Sequence, residues 1–284
     1  MTDLPDSSTH PHVAILGGGV MGGTILTALR VVGWAPDRVT VAEHNSGRAE
    51  ALRETAGVAV VPGVAEAVAE ADVIVIAVKP QDAAETLIEI NAAIKPSALV
   101  LTVAAGLKTA FYEQRLPEGT PVLRAMPNTP AIVAHGATAL AKGAHATDQH
   151  LALATAMLRA TGLVVKVEED QLEAVTAVSG SGPAYFYAMV EALTEAGVAQ
   201  GLDRLLATQL AAQTFVGAAK LLQESGDTPQ TLRKKVSSPG GVTLAALEAM
   251  SAAGLQDVIS AGARAAVARS LEMGEEFSKA TEAE

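Results

Sequence analysis

Residues 13–29 run from the apolar stretch Val13-Ala14-Ile15-Leu16 through Gly17-Gly18-Gly19-Val20-Met21-Gly22 into Thr24-Ile25-Leu26-Thr27-Ala28-Leu29. No other stretch restricts the fold as much. An apolar strand, a G-x-G-x-x-G turn and a helix, in that order, open a βαβ unit built to hold a dinucleotide. Gly17 permits the tight turn, Gly19 lets a pyrophosphate approach, and Gly22 lets helix pack on strand. The helix start adds N–H groups without intrahelical partners and the positive end of a dipole, both favourable to an anion.

The next apolar run, Val39–Ala42, ends at Glu43, twenty-one residues after Gly22. An acid at that place takes the ribose 2′-hydroxyl and favours NAD(H), although a strand-end glutamate can equally stand solvated. His44 and Arg48 follow at once and are candidates for a 2′-phosphate. These residues leave the cofactor split between NAD(H) and NADPH.

From the glycine loop to Val167 short β-branched runs alternate with helical patterns, as in successive βαβ units. Strands are predicted at Val13–Leu16, Val39–Ala42, Val58–Val60, Val73–Val78, Leu99–Val103, Val122–Ala125, Thr138–Ala141 and Leu163–Val167, with helices at Ala65–Ala71 and Ala83–Ile94 among them. Val73–Val78 shows no polar alternation, as a parallel strand covered on both faces requires. After Glu168 the strand signals stop. Helices are predicted at Gln171–Val178, Pro183–Ala199, Arg204–Ser225, Pro229–Val236, Leu244–Ala253 and Leu255–Lys279.

The fold class is therefore α/β: a Rossmann-type, doubly wound, mostly parallel sheet followed by an all-α dimerisation domain. Residues 1–12 are expected to be a frayed polar tail, 13–167 a dinucleotide-binding domain and 168–284 a helical dimerisation and substrate domain. Tyr185, Phe186, Met189, Ala192, Leu193 and Ala196 share one helix face, which suits a core or a subunit interface. Apolar faces this long exceed what about 115 residues can bury alone, which points to a homodimer.

The net charge of −11 argues against a nucleic-acid or anionic-membrane partner, since counterion release needs clustered Lys and Arg. No continuous apolar run reaches the length of a membrane span. Cysteine is absent, which removes disulfides, thiol nucleophiles and thiolate metal sites and suits a cytoplasmic setting. The six histidines form no i,i+4 pair with a third ligand nearby, so no metal is expected.

A second anion-binding loop lies near the other end of the chain. Ser237-Ser238-Pro239-Gly240-Gly241-Val242-Thr243 stops one helical pattern and opens the next. Gly240 and Gly241 carry no Cβ and let an anion reach the backbone, while Ser238 and Thr243 supply hydroxyls for capping or for a small ligand. An ordinary helix–turn–helix corner is the alternative. The loops after the strands add Val78-Lys79-Pro80-Gln81, Ala104-Ala105-Gly106 and Arg124–Pro130, where ligands of open α/β sheets collect. Asn128 could hold a carboxamide there.

Together these residues resemble the pyrroline-5-carboxylate reductase family from about His12 to Met273. The motifs are GGGVMG at 17–22, VIAVKPQ at 75–81, VAAG at 103–106, RAMPNTP at 124–130, AVSGSGPAY at 177–185 and KVSSPGGVT at 235–243. The resemblance implies hydride transfer from a reduced nicotinamide to the imine carbon of 1-pyrroline-5-carboxylate, giving L-proline in the last step of its biosynthesis. It also implies a homodimer with the active site at its interface, often assembled into a ring of dimers.

By that resemblance Ser238, Gly240, Gly241 and Thr243 hold the substrate, and the Thr243 hydroxyl contacts the ring nitrogen directly or through water. Gly17, Gly18, Gly19, Val20, Met21, Val78, Lys79, Pro80, Ala104, Ala105 and Asn128 line the cofactor. Many members read Ser-Asn-Arg where this chain has Ala42-Glu43-His44, so the arginine that usually meets the 2′-phosphate is missing; with His44 and Arg48 at hand, use of both cofactors is expected, leaning to NADPH with NADH as the alternative.

Two other readings are less well supported. A β-hydroxyacid dehydrogenase needs a general base, commonly a lysine on the long helix after the linker. Here Pro183–Ala199 has none, and the first lysine beyond Lys166 is Lys220. A nucleotide-sensing scaffold without chemistry would have no need of so open and polar a loop at 237–243.

Overall fold

The structure is a computed structural model and describes residues 10–280. Eight strands form one sheet: β1 (Val13–Leu16), β2 (Val39–Ala42), β3 (Ala59–Val61), β4 (Val73–Ile76), β5 (Leu99–Thr102), β6 (Val122–Met126), β7 (Gly136–Lys142) and β8 (Gly162–Lys166). Their order is β3-β2-β1-β4-β5-β6-β7-β8. The first six are mutually parallel; β7 runs antiparallel to β6, and β8 follows β7.

Side chains of a strand alternate between faces, so a strand buried on both must be apolar throughout. Val13 and Ile15 enter one core cluster and Ala14 and Leu16 the other; Val73 and Val75 divide in the same way from Ile74 and Ile76. The first cluster is closed by α1 (Val20–Val31), α2 (Ser46–Ala56) and α6 (Asp148–Leu158). The second is closed by α3 (Val64–Val68), α4 (Ala83–Asn91) and α5 (Thr109–Glu113). Helices on both faces make the sheet doubly wound, as expected. Each fully buried Leu, Ile or Val contributes about 1.5–3 kcal/mol to holding these layers together.

Beyond β8 the chain is helical: α7 (Leu172–Val175), α8 (Gly182–Ala199), α9 (Arg204–Glu224), α10 (Pro229–Lys235), α11 (Val242–Ala252) and α12 (Leu255–Ala280). The predicted helix Gln171–Val178 is helical but changes after Val175 to a π-helical segment over Thr176–Gly180. Hydroxyls of Thr176 and Ser179 bond back to the carbonyls of Leu172 and Val175, at 2.8 and 3.1 Å. Such back-bonding loosens a regular helix.

Two compact units result. One holds the chain up to Gly180 together with the chain from Ala266 onward; the other is Ser181–Ala265. Compact packing thus divides the chain later than the expected boundary at residue 168, and the last helix is shared between the units. Within the second unit α8 packs on α9. Phe186 meets Phe215 at 4.9 Å between ring centroids, and a Cβ on Gly197 would stand 3.1 Å from that of Ala207. Tyr185, Phe186 and Leu193 of the predicted stripe are substantially exposed in the single chain, as are Leu205 and Val216.

One expectation needs correction. The tail expected over residues 1–12 does not extend that far: His10 stacks on Trp34 at 4.0 Å, the Trp34 indole donates to the Pro11 carbonyl at 3.1 Å, and the His12 N–H donates to Asp72 Oδ2 at 2.9 Å. Residues 1–9 of that tail lie outside the described residues. In addition α9, at 21 residues, is long and apolar enough by length and composition to cross a membrane. It holds no continuous apolar run of that length, because Thr208, Gln209, Gln213 and Thr214 interrupt its apolar residues.

Candidate active site

The glycine loop is built as its spacing implies. Gly17 has φ +97°, a left-handed conformation that favours glycine, and a Cβ there would press to 2.9 Å from the carbonyl oxygen of Ala77, the residue after β4. A Cβ on Gly22 would run into the carbonyl of Gly17 itself, so the start of α1 sits directly on the turn. Gly19 is the N-cap of α1, and no side chain caps the helix. The first-turn N–H groups therefore remain available to an anion.

Glu43 is not a solvated strand end. It is 6% exposed, and its Oε2 accepts the Gly18 N–H at 3.1 Å while Oε1 accepts the Asn45 N–H at 2.7 Å. Arg48 Nε pairs with the same Oε2 at 3.0 Å. Asn45 caps α2 by accepting the Arg48 N–H at 2.9 Å, which fixes where the arginine leaves the helix. The Arg48 guanidinium is half-exposed and borders a groove of about 560 Å³, lined also by Gly18, Gly19, Val20, Thr24 and Ile132. His44 is exposed. Ile132 was not anticipated, because the short turn Thr129–Val133 carries no periodic signal.

After β4, Val78 is part-buried and the exposed Lys79 caps a short turn that begins at Pro80. After β5, Ala104 is buried and its N–H donates to Thr102 Oγ1 at 3.2 Å; Thr102 in turn is bonded to the Tyr112 hydroxyl at 2.8 Å. Burial pushes the Tyr112 phenol up to about 12, so it stays protonated and serves as a fixed strut under the 104–105 loop. Lys79, Ala104 and Ala105 thus stand at the carboxyl ends of adjacent parallel strands.

Asn128 is bonded at both ends. Its Nδ2 donates to the Ser179 carbonyl at 3.0 Å and its Oδ1 accepts the Ala137 N–H at 2.8 Å. The side chain joins β7 and the π-helical segment, and its second Nδ2 hydrogen and second Oδ1 lone pair are what it has left for a nicotinamide carboxamide. Sequence alone gave no sign of this, because the partners lie 9 and 51 residues away.

In the helical unit α11 begins at Val242, two residues before the predicted Leu244. Its N-cap is Gly241, without a side-chain cap. Thr243 is therefore not a cap; it is the second residue of the first turn, and its hydroxyl takes no part in capping. The Gly241 N–H donates to the Ser238 carbonyl at 3.0 Å, closing a turn whose Gly240 has φ +69°. Ser238 and Gly240 are exposed and Thr243 is part-buried. Ser237 is committed elsewhere, donating to the Arg233 carbonyl at 2.7 Å. Beside the loop is a groove of about 820 Å³, lined by Arg233, Lys234, Ser237, Leu244, Glu248 and Ser260 among others. The cations come from the last turn of α10, where they complement the helix dipole, and sequence reasoning passed over them.

A glycine-loop nucleotide unit followed by helices, one of them with an uncapped start behind a second glycine loop, defines a nicotinamide-dependent oxidoreductase with a helical second domain. Residues 12–106 match the family described as NADP oxidoreductase coenzyme F420-dependent, and residues 169–273 match pyrroline-5-carboxylate reductase dimerisation. The chain is 43% identical over 282 residues to a pyrroline-5-carboxylate reductase of Mycobacterium tuberculosis, covering 91% of this chain and 95% of that one. A pyrroline-5-carboxylate reductase of Pseudomonas aeruginosa is 36% identical over 268 residues, covering 94% and 98%. The solved pyrroline-5-carboxylate reductase of Coxiella burnetii superimposes with TM-score 0.88 at 34% identity, covering 92% of this chain and 98% of that one. The Plasmodium falciparum enzyme, solved with NADP bound, shares the fold with TM-score 0.81 at 24% identity, covering 93% and 98%. The chain belongs to the pyrroline-5-carboxylate reductase family.

Proposed function

We infer that this protein reduces 1-pyrroline-5-carboxylate to L-proline with NAD(P)H. The observation that carries this reading is the open, uncapped start of α11 behind Ser238–Gly241, in a chain that matches 95% of the length of a reductase relative. The nicotinamide hydride passes to the imine carbon, a solvent proton completes the amine, and NAD(P)⁺ is left. A protonated imine is already strongly electrophilic, so positioning supplies most of the catalysis. That suits residues 237–243, which contain no titratable side chain.

In this assignment the backbone of Ser238, Gly240 and Gly241 receives the substrate carboxylate, and the Thr243 hydroxyl meets the ring nitrogen. Gly17–Gly22, Glu43, Arg48, Val78, Lys79, Pro80, Ala104 and Ala105 form the cofactor side, with exposed His44 at its rim. The Arg48–Glu43 pair neutralises the acid, which permits NADPH beside NADH and leans toward NADPH. The protein acts as a homodimer, for which the exposed faces of α8 and α9 supply the apolar surface. We assign further assembly into a ring of dimers, no nucleic-acid or membrane partner, and a cytoplasmic setting. The test is cofactor oxidation with 1-pyrroline-5-carboxylate, run separately with NADPH and NADH. Turnover with proline as product supports the reading; a chain that binds both ligands without turnover ends it.

A further inference from the structure

The stretch of α12 beyond Ala266 belongs to the nucleotide-binding unit, and three of its residues, Ser270, Gly274 and Phe277, lie on one stripe at i, i+4 and i+7. Ser270 is buried and its hydroxyl donates to Glu173 Oε2. The other oxygen of Glu173 accepts Arg124 Nη2 at 3.0 Å, and Arg124, on β6, is only 2% exposed. Phe277 packs against the core cluster that contains Leu107, Phe111 and Tyr112. The helix is thus anchored on both sides of Gly274.

Gly274 itself lies against backbone. A Cβ built on it would stand 2.5 Å from the Gly106 carbonyl oxygen, and a Cβ on Gly106 would stand 3.4 Å from the Gly274 nitrogen. Gly106 is left-handed, with φ +83°, and directly follows Ala104-Ala105. At that loop Ala104 is pinned through Thr102, and Leu107 is fully buried. The give between these fixed points lies at Ala105 and Gly106.

We propose that Gly274 is a positioning residue for the cofactor, acting through the 104–106 loop. This rests on the assignment of Ala104 and Ala105 to the cofactor side. A methyl group at position 274 must displace either the helix or the loop. The helix is held by the buried Ser270 hydroxyl, bonded to the carboxylate that Arg124 fixes, and by the Phe277 anchor, whereas the loop has two adjacent small residues in a turn. The loop therefore moves, and it moves at the edge where the cofactor lies. A displacement on the order of an ångström in such a wall is enough to cost a large factor in productive binding.

The experiment is Gly274→Ala in the full chain. NADPH affinity is read from the fluorescence of NADPH alone, so the result does not depend on the reductase assignment. The thermal midpoint of the ligand-free protein and KM for 1-pyrroline-5-carboxylate at saturating NADPH are measured beside it. NADPH affinity is expected to fall about tenfold, with the midpoint and the substrate KM nearly unchanged. Affinity within about twofold of the parent, or a uniform loss of midpoint, substrate KM and cofactor affinity together, overturns the proposal. Should Gly274→Ala fail to fold, Ser270→Ala loosens the same helix without adding volume. It is expected to weaken NADPH about threefold, and an unchanged affinity there also overturns the proposal. Normal NADPH binding changes in a protein that never turns over 1-pyrroline-5-carboxylate would instead count against the assigned reaction.

Discussion

Arg48 Nε and the Gly18 N–H meet at one oxygen of Glu43, at 3.0 and 3.1 Å. The carboxylate that ends β2 is therefore tied to the glycine loop and to α2 at once. A carboxylate has roughly four acceptor positions, so Glu43 keeps room for a ribose hydroxyl while Arg48 offsets its charge against a 2′-phosphate. Replacing Arg48 with alanine removes the offset and the cation. We expect kcat/KM for NADPH to fall about tenfold while that for NADH changes less than about threefold. Steady-state kinetics with each cofactor checks this, and equal losses with both would show that Arg48 only shapes the loop.

Thr243→Ala tests the substrate side. Because Gly241 is the cap of α11 and no side chain caps it, losing the Thr243 hydroxyl leaves helix capping intact. Turnover should drop about tenfold or more, with NADPH affinity and thermal midpoint close to the parent. Unaltered turnover would remove Thr243 from the chemistry.

Gly22→Ala should be among the most damaging single changes in the nucleotide unit. The added methyl collides with the Gly17 carbonyl, and neither strand nor turn has room to yield. Overpacking of this kind costs about 1–3 kcal/mol or more. Urea denaturation should show the loss, and NADPH and NADH affinities should fall together, unlike the selective effect at Arg48.

Asp72 gives a pH dependence whose sign is fixed. Burial pushes its carboxyl up, but the His12 N–H and Lys95, at 2.9 and 3.2 Å, outweigh it and hold it below the usual aspartate value. A group lowered in the folded state adds stability above its unfolded value and loses it as pH falls through the folded one. The stability advantage of the parent over Asp72→Asn should thus be present at neutral pH and vanish on acidification below about pH 4. Denaturation curves at both pH values measure it; an advantage that persists in acid would contradict this account.

Much of this fold could be read from local pattern. Val73-Ile74-Val75-Ile76 announced a strand covered on both faces, and its alternate residues do divide between the two core clusters. Gly17, Gly19 and Gly22 announced the turn by spacing. The reversal of β7 against β6 was not legible, because strand direction depends on where the chain re-enters the sheet. The start of α11 was placed two residues late, since glycine at the N-cap and exposed Val242 carry no apolar periodicity.

What the sequence determined by itself was therefore set within a few residues: strand against helix, the glycine turn, and a helix start open to an anion. The tertiary structure alone decided which polar groups are left for ligands. Asn128 is committed to Ser179, 51 residues on, Glu43 to Gly18, 25 residues back, and Ser270 to Glu173, 97 residues back. A buried polar group must find a hydrogen-bond partner, and distant segments meet only once the layers have packed.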